Sequence, residues 1–296
     1  MSRLLAPAPA GRLNAVRVLV VSYALVWVAV RAGHWLDVAR LPRSRWQPVA
    51  FAEWIGPFGP ATVVVLTVAT AVAGVVAISG RWWTTAGAAF AIGFLVLTTF
   101  GNSWGTVLHT EQLVSLHLLV LAAAPAGTGR DATAGWPLRV LSAVTVATYF
   151  VSGVAKLRFG GGLDWLDGER LARLVAHDNV RKRLLGDDWS PLARHLVGHP
   201  VLFRGAAIAT VVVELGAPLA LLLGRRVRYA WVAAAWCFHV AVLAVMAILF
   251  PYPLTGIAFA SMLPVERLGA GLRSRAGAWR QRAASARRGA PLLPRP

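Results

Sequence analysis

Apolar runs of nearly span length recur along the chain, at 15–33, 60–79, 84–100, 107–126, 138–157, 201–223 and 229–250. Stretches holding prolines, glycines and arginines separate them. About 20 apolar residues is the length at which an α-helix crosses the hydrocarbon core of a bilayer. An eighth run, 254–264, is short and follows the break Phe250-Pro251-Tyr252-Pro253, as a half-span or interfacial segment would. The pattern therefore predicts an all-α, polytopic membrane helix bundle of about seven or eight spans, with the first run kept as a span. The expected organisation is an N-terminal basic segment (1–14), a transmembrane domain (15–264) and a basic, disordered tail (265–296).

Two polar connections are long enough to carry structure of their own. Residues 34–59 hold Arg40, Arg43 and Arg45 among prolines and tryptophans, and residues 158–200 hold two helix-start signals. Asp167 precedes a helix with apolar positions at Leu171, Leu174 and Val175, and Ser190-Pro191 pairs an N-cap residue with a proline suited to the first helical position. Surface amphipathic helices are expected in both connections. Tryptophans 35, 82, 83, 104, 136 and 165 stand at the ends of runs, as an interfacial aromatic belt would require. Ala69, Ala73 and Ala77 recur at four-residue spacing, which suits close helix packing.

Composition supports a lipid solvent. Hydrophobic residues make up 57% of the chain and charged residues 14%, with a mean hydropathy of +0.61, against about 25% charged in soluble domains. The net charge of +18 is carried by arginines between the runs and in the tail. That distribution fits membrane-flanking charge at a multi-pass protein of the cell membrane, with anionic lipid as partner of the tail, and no nucleic acid. The bias of the first residues, the 225–228 loop and the tail favours an inside N-terminus, although the basic 158–200 connection then falls outside. Cys237 is the single cysteine, so no disulfide forms within the chain.

Ionisable side chains inside the runs carry the functional information, because each costs about 2.5–3.5 kcal/mol at the bilayer centre. They are His109, Glu111 and His117 in the fourth run, Lys156 at the end of the fifth, Glu214 in the sixth and His239 in the seventh. Lys156 is one of two lysines in a chain that otherwise uses arginine. An amine kept from water serves as a base, whereas one at a span's end snorkels to the headgroups. His109 and His117 stand about 12 Å apart by helical rise, too far to share a metal, and interhelical hydrogen bonds suit each. Glu214 is suited to pair with a histidine or with Lys156 across the bundle, and His239 to pair likewise, with nothing local to say which. No nucleophile elbow, phosphate loop, His-Glu zinc motif or Cys-His metal spacing is present.

Three segments resemble one known family. Tyr149-Phe150-Val151-Ser152-Gly153-Val154-Ala155-Lys156-Leu157 with Asp164-Trp165-Leu166-Asp167-Gly168, the stretch from Trp104 to His109 running into Glu111-Gln112-Leu113, and Phe238-His239 with Leu249-Phe250-Pro251-Tyr252 are similar to the membrane domain of vitamin K-dependent γ-carboxylase, an HTTM (horizontally transferred transmembrane) domain. The residues 158–162 stand as an insertion relative to that signature. The resemblance implies a reduced quinone, of the vitamin K or menaquinone type, as cofactor. It implies Lys156 as the base that deprotonates the reduced quinone and His109 as its helper. His117, Glu111, Glu214, His239 and Trp165 complete the ligand-binding expectation. The other function open to these residues is a non-catalytic membrane protein that binds lipid or a partner protein, with the lysine and histidines holding helices together. Transport is a third reading, with no inverted repeat to support it.

Overall fold

The computed structural model describes residues 6–80, 82–105, 107, 110–125, 131–186 and 190–267. In chain order the α-helices are α1 (Ala10–Val38), α2 (Ala52–Ile55), α3 (Pro60–Ile78), α4 (Ala88–Asn102), α5 (Thr110–Ala123), α6 (Asp131–Phe159), α7 (Glu169–Leu184), α8 (Pro191–Leu196), α9 (Pro200–Leu215), α10 (Leu219–Leu222), α11 (Arg225–Met246) and α12 (Pro251–Leu254). Among the described residues there is no strand. A π-helical turn, Trp83–Gly87, leads into α4, and 3-10 turns occupy Arg43–Arg45, Gly162–Asp167 and Ile257–Met262.

Among the described residues five helices are long and apolar enough to cross a membrane: Ala10–Val38, Pro60–Ile78, Trp83–Asn102, Thr133–Phe159 and Arg225–Met246. Two of the expected spans are shorter. Helix α5 has 14 residues, about 21 Å of rise, less than the roughly 30 Å core. The run 201–223 is broken: α9 ends at Leu215, and a turn over 216–218 separates it from α10. Pro218 has no N–H to continue the ladder and its ring clashes with the preceding turn, so one apolar run becomes two helices.

The outer surface identifies the solvent. On α3, Val65, Val68, Val72 and Val75 follow helical spacing and each is more than half exposed. An apolar stripe of this kind is stable against acyl chains and not against water. The opposite face of α3 holds Val63, Thr70, Gly74 and Ala77. Close approach rests on Gly74, where a Cβ would meet Leu25 at 2.6 Å and Phe90 at 2.8 Å. Ala69, expected at this contact, faces outward. The core between α1, α4, α5 and α6 is filled by Trp35, Phe90, Phe94, Leu97, Phe100, Leu121 and Leu141, all fully buried. Trp35 thus packs inside rather than in an interfacial belt, beside Gly101, whereas Trp82 is exposed as a belt residue would be.

The eighth run does not form a long helix. After α11 the chain turns back and runs antiparallel to it. Phe250 packs on His239, the Leu254 carbonyl accepts from the Trp236 indole at 2.9 Å, and Phe259 packs on Trp231. The return segment is built from α12 and the Ile257–Met262 turns, and Tyr252, Ala258, Phe259 and Ala260 are buried. It ends at Glu266, which accepts a bidentate pair of hydrogen bonds from Arg12 at 2.8 and 2.9 Å. The start of α1 and residue 266 therefore lie on one face of the bundle.

The long connections differ from each other. Residues 34–59 contain only the end of α1 and one-turn pieces. They lie over the end of α4, where the Gln47 and Val49 amides donate to Ser103. The amphipathic helix expected there is absent, because prolines at 42, 48 and 57 interrupt it. Residues 158–200 do form α7 and α8, and the Asp167 carboxylate accepts from the Glu169 amide at 2.7 Å, next to Gly168 at the helix start. Ser190 precedes α8 but turns its hydroxyl to the Ala244 carbonyl instead of capping.

Candidate functional site

Helix α6 carries Tyr149, Gly153 and Lys156 on one face, at the i, i+4, i+7 spacing of a helical stripe. Helix α9 crosses this face at Gly153, where a Cβ would come within 2.9 Å of the Glu214 Cβ and of Leu215. That closeness lets the Lys156 Nζ reach Glu214 Oε1 at 2.6 Å. The two ends of the pair are not alike: the lysine side chain is 27% exposed and the glutamate 4%. Two turns away along α6, the Tyr149 hydroxyl lies 2.7 Å from His239 Nε2 on α11. Trp231 packs edge-on against Tyr149 and donates its indole N–H to the Val213 carbonyl. Glu214 Oε2, His239 Nδ1 and the Trp165 indole nitrogen are buried and have no hydrogen-bond partner.

Lys156 opens on a cavity of about 570 Å³ between the end of α6, α7, α8, α9 and α11. Its wall is apolar apart from Lys156 and Thr210, and includes Trp165, Phe203, Phe238 and Cys237. The volume falls within the roughly 300–1,000 Å³ of small-molecule sites, and an apolar wall with one convergent polar group is their usual make-up.

The strap formed by α7 and α8 covers this cavity with Leu171, Leu174, Val175 and Leu196. Polar contacts fasten it to the end of α11. Lys182 donates to the Met246 carbonyl, the Asn179 side chain accepts from the Ser190 amide at 2.9 Å, and Ser190 donates to Ala244. A cation on the last carbonyls of a helix is favoured by the helix dipole. Asp178 holds Lys182 at 2.7 Å. Burial works to raise the Asp178 carboxyl, but hydrogen bonds from Lys182 and Arg181 outweigh it and hold the group below its ordinary range.

The remaining expected residues lie elsewhere. His117 bridges Tyr252 at 2.7 Å and Thr145 at 3.0 Å, inside the bundle. Glu111 accepts from Trp27 at 2.9 Å and from Asn102 at 3.3 Å, with Arg31 Nε 3.3 Å away. Both act as interhelical fasteners. Among the described residues neither shares a hydrogen bond or ion pair with Lys156. His109 lies outside the described residues. Tyr149 and Tyr252, the partners of the two buried histidines, carry neutral hydroxyls and so do not stand out in sequence among the charged groups of the runs. Tyr149 was detectable in principle, seven residues before Lys156 and hence on its face. Among the described residues no cluster of three or more His, Cys, Asp or Glu is placed to hold a metal. Compared with family models, curated proteins and solved structures, the chain matches none.

Proposed function

We propose that this integral membrane protein is an HTTM-type enzyme that binds a reduced quinone in the cavity beside Lys156 and uses the lysine as a base. One observation carries the reading: among the described residues, the one lysine amine on the wall of a large apolar cavity lies 2.6 Å from a buried carboxyl group. The residues present fit such a group. The aliphatic wall suits a polyprenyl tail, and Thr210 and the unpartnered Glu214 Oε2 are polar groups near the lysine end. A bound quinol supplies an acidic hydroxyl. Passing its own proton to Glu214 Oε1, in hydrogen-bond contact at 2.6 Å, leaves Lys156 Nζ a free amine that accepts the quinol proton. The apolar wall keeps water away, which strengthens every charge interaction at the lysine.

The test uses purified protein in detergent with reduced menaquinone or vitamin K and oxygen, followed by chromatography of the quinone products. The wild type is expected to form oxidised or epoxidised quinone faster than Lys156→Met. Equal rates sink the reading. A second reading is favoured by the junction at Gly153: the Lys156–Glu214 pair is a clamp between α6 and α9 in a non-catalytic protein that binds lipid or a partner protein. It expects Lys156→Met to lower stability, and the double variant Lys156→Met/Glu214→Met to recover it with no change in any turnover.

A further inference from the structure

Arg17 lies far from the Lys156 cavity and takes no part in the proposed chemistry. It is 6% exposed, and its guanidinium carbon stacks over Trp83 at 4.6 Å. Its hydrogen bonds run to Asn14 Oδ1 at 3.3 Å, the Ala124 carbonyl at 3.3 Å and the Pro125 carbonyl. Nε is buried with no partner. Every acceptor is a neutral oxygen. Among the described residues no carboxylate lies within ion-pair distance of Arg17. A buried guanidinium without a counter-charge is a costly arrangement that an incoming anion relieves.

The space for one is present. A cavity of about 170 Å³ opens beside the guanidinium, lined by Asn14, Arg17, Val18, Ala77, Gly80 and Trp83 among others. Its place near the start of a long α1 suits the headgroup level. Helix α1 has 29 residues, about 44 Å, so it overhangs a roughly 30 Å core, and Arg17 stands about 10 Å from its start. The end of α3 lines the same cavity, and the residue after α5 meets the guanidinium through the Ala124 carbonyl. Arginine is the side chain whose planar fork matches phosphate oxygens.

We propose that Arg17 and Asn14 form a site for a phosphate-type anion, supplied either by the headgroup of an anionic phospholipid or by free phosphate. The site tethers the first helix and the ends of α3 and α5 to that anion. The test adds short-chain phosphatidylglycerol, inorganic phosphate or short-chain diacylglycerol to the delipidated full-length protein in detergent and follows thermal unfolding by tryptophan fluorescence. Phosphatidylglycerol is expected to raise the midpoint by several degrees in the wild type and to leave Arg17→Gln unmoved. An equal rise with inorganic phosphate assigns the free anion as source and supports the site. Should Arg17→Gln fail to fold, Val18→Phe fills the cavity wall with Arg17 intact and is expected to lose the same response. The proposal is overturned if neither anion shifts the wild type more than diacylglycerol does, or if Val18→Phe and Arg17→Gln respond as fully as the wild type.

Discussion

Removing Lys156 and removing Glu214 are expected to have unequal costs, because the two ends of the ion pair differ in their access to water. In Lys156→Met the Glu214 side chain, 4% exposed, stays in place with no counter-charge. Removing one partner of a buried pair costs about 3–5 kcal/mol. The penalty has a ceiling, since the carboxyl escapes by taking up a proton. From a reference value near 4.3 this costs about 3.7 kcal/mol at pH 7 and about 1 kcal/mol at pH 5. In Glu214→Met the lysine, 27% exposed, swings its ammonium toward the headgroups on a four-carbon stem, and the loss is about 1 kcal/mol, as for an exposed pair. The double variant removes both charges and is expected to lie within about 1 kcal/mol of the wild type. The assay is unfolding by SDS titration in mixed micelles, run for the four proteins between pH 5 and 7.5. The reasoning is refuted if the two single variants lose equal stability, or if the loss in Lys156→Met is the same at both ends of that pH range.

Gly153→Leu forces side-chain atoms into the space held by Glu214 and Leu215, so it should lower stability by about 1–3 kcal/mol and abolish any quinone turnover; Gly33→Ala, with nothing within 4 Å, serves as the neutral control in the same SDS titration. His117→Leu leaves the Tyr252 hydroxyl without its histidine partner and is expected to cost about 1–3 kcal/mol with turnover per folded molecule unchanged. The hydrogen bond from Arg12 holds the Glu266 carboxyl below its ordinary value of 4.5. The stability this contributes is fully present above pH 4.5 and lost as pH falls through the lower folded value. The melting midpoint of the wild type should therefore drop more between pH 5 and 3 than that of Glu266→Gln.

Membrane embedding was legible because it depends on composition and run length, which need no tertiary information: a segment such as 60–78, nearly free of polar groups, has no stable alternative to a lipid-facing helix. The breaks were only partly legible. Pro218 and Gly216 sit in an apolar run that hydropathy scores as continuous, and the return of the chain along α11 is stabilised by contacts to Trp236, His239 and Trp231 that no local pattern encodes. The same division holds for the polar groups. Their cost in lipid singled out Lys156, Glu214, His117, Glu111 and His239 from the sequence, since each needs a partner. Which partner each takes was decided by helix crossing. Gly153 brings α9 against α6 and joins Lys156 to Glu214, while the return segment supplies Tyr252 to His117. Sequence thus determined that Glu111, His117, Glu214 and His239 lie in apolar runs where a polar side chain needs a partner, whereas it left open whether Lys156, at the end of its run, faces the bundle or the headgroups. Tertiary structure alone decided the pairings and opened a cavity at Lys156, because both depend on distances between residues of different helices, 58 positions apart for Lys156 and Glu214 and 135 for His117 and Tyr252.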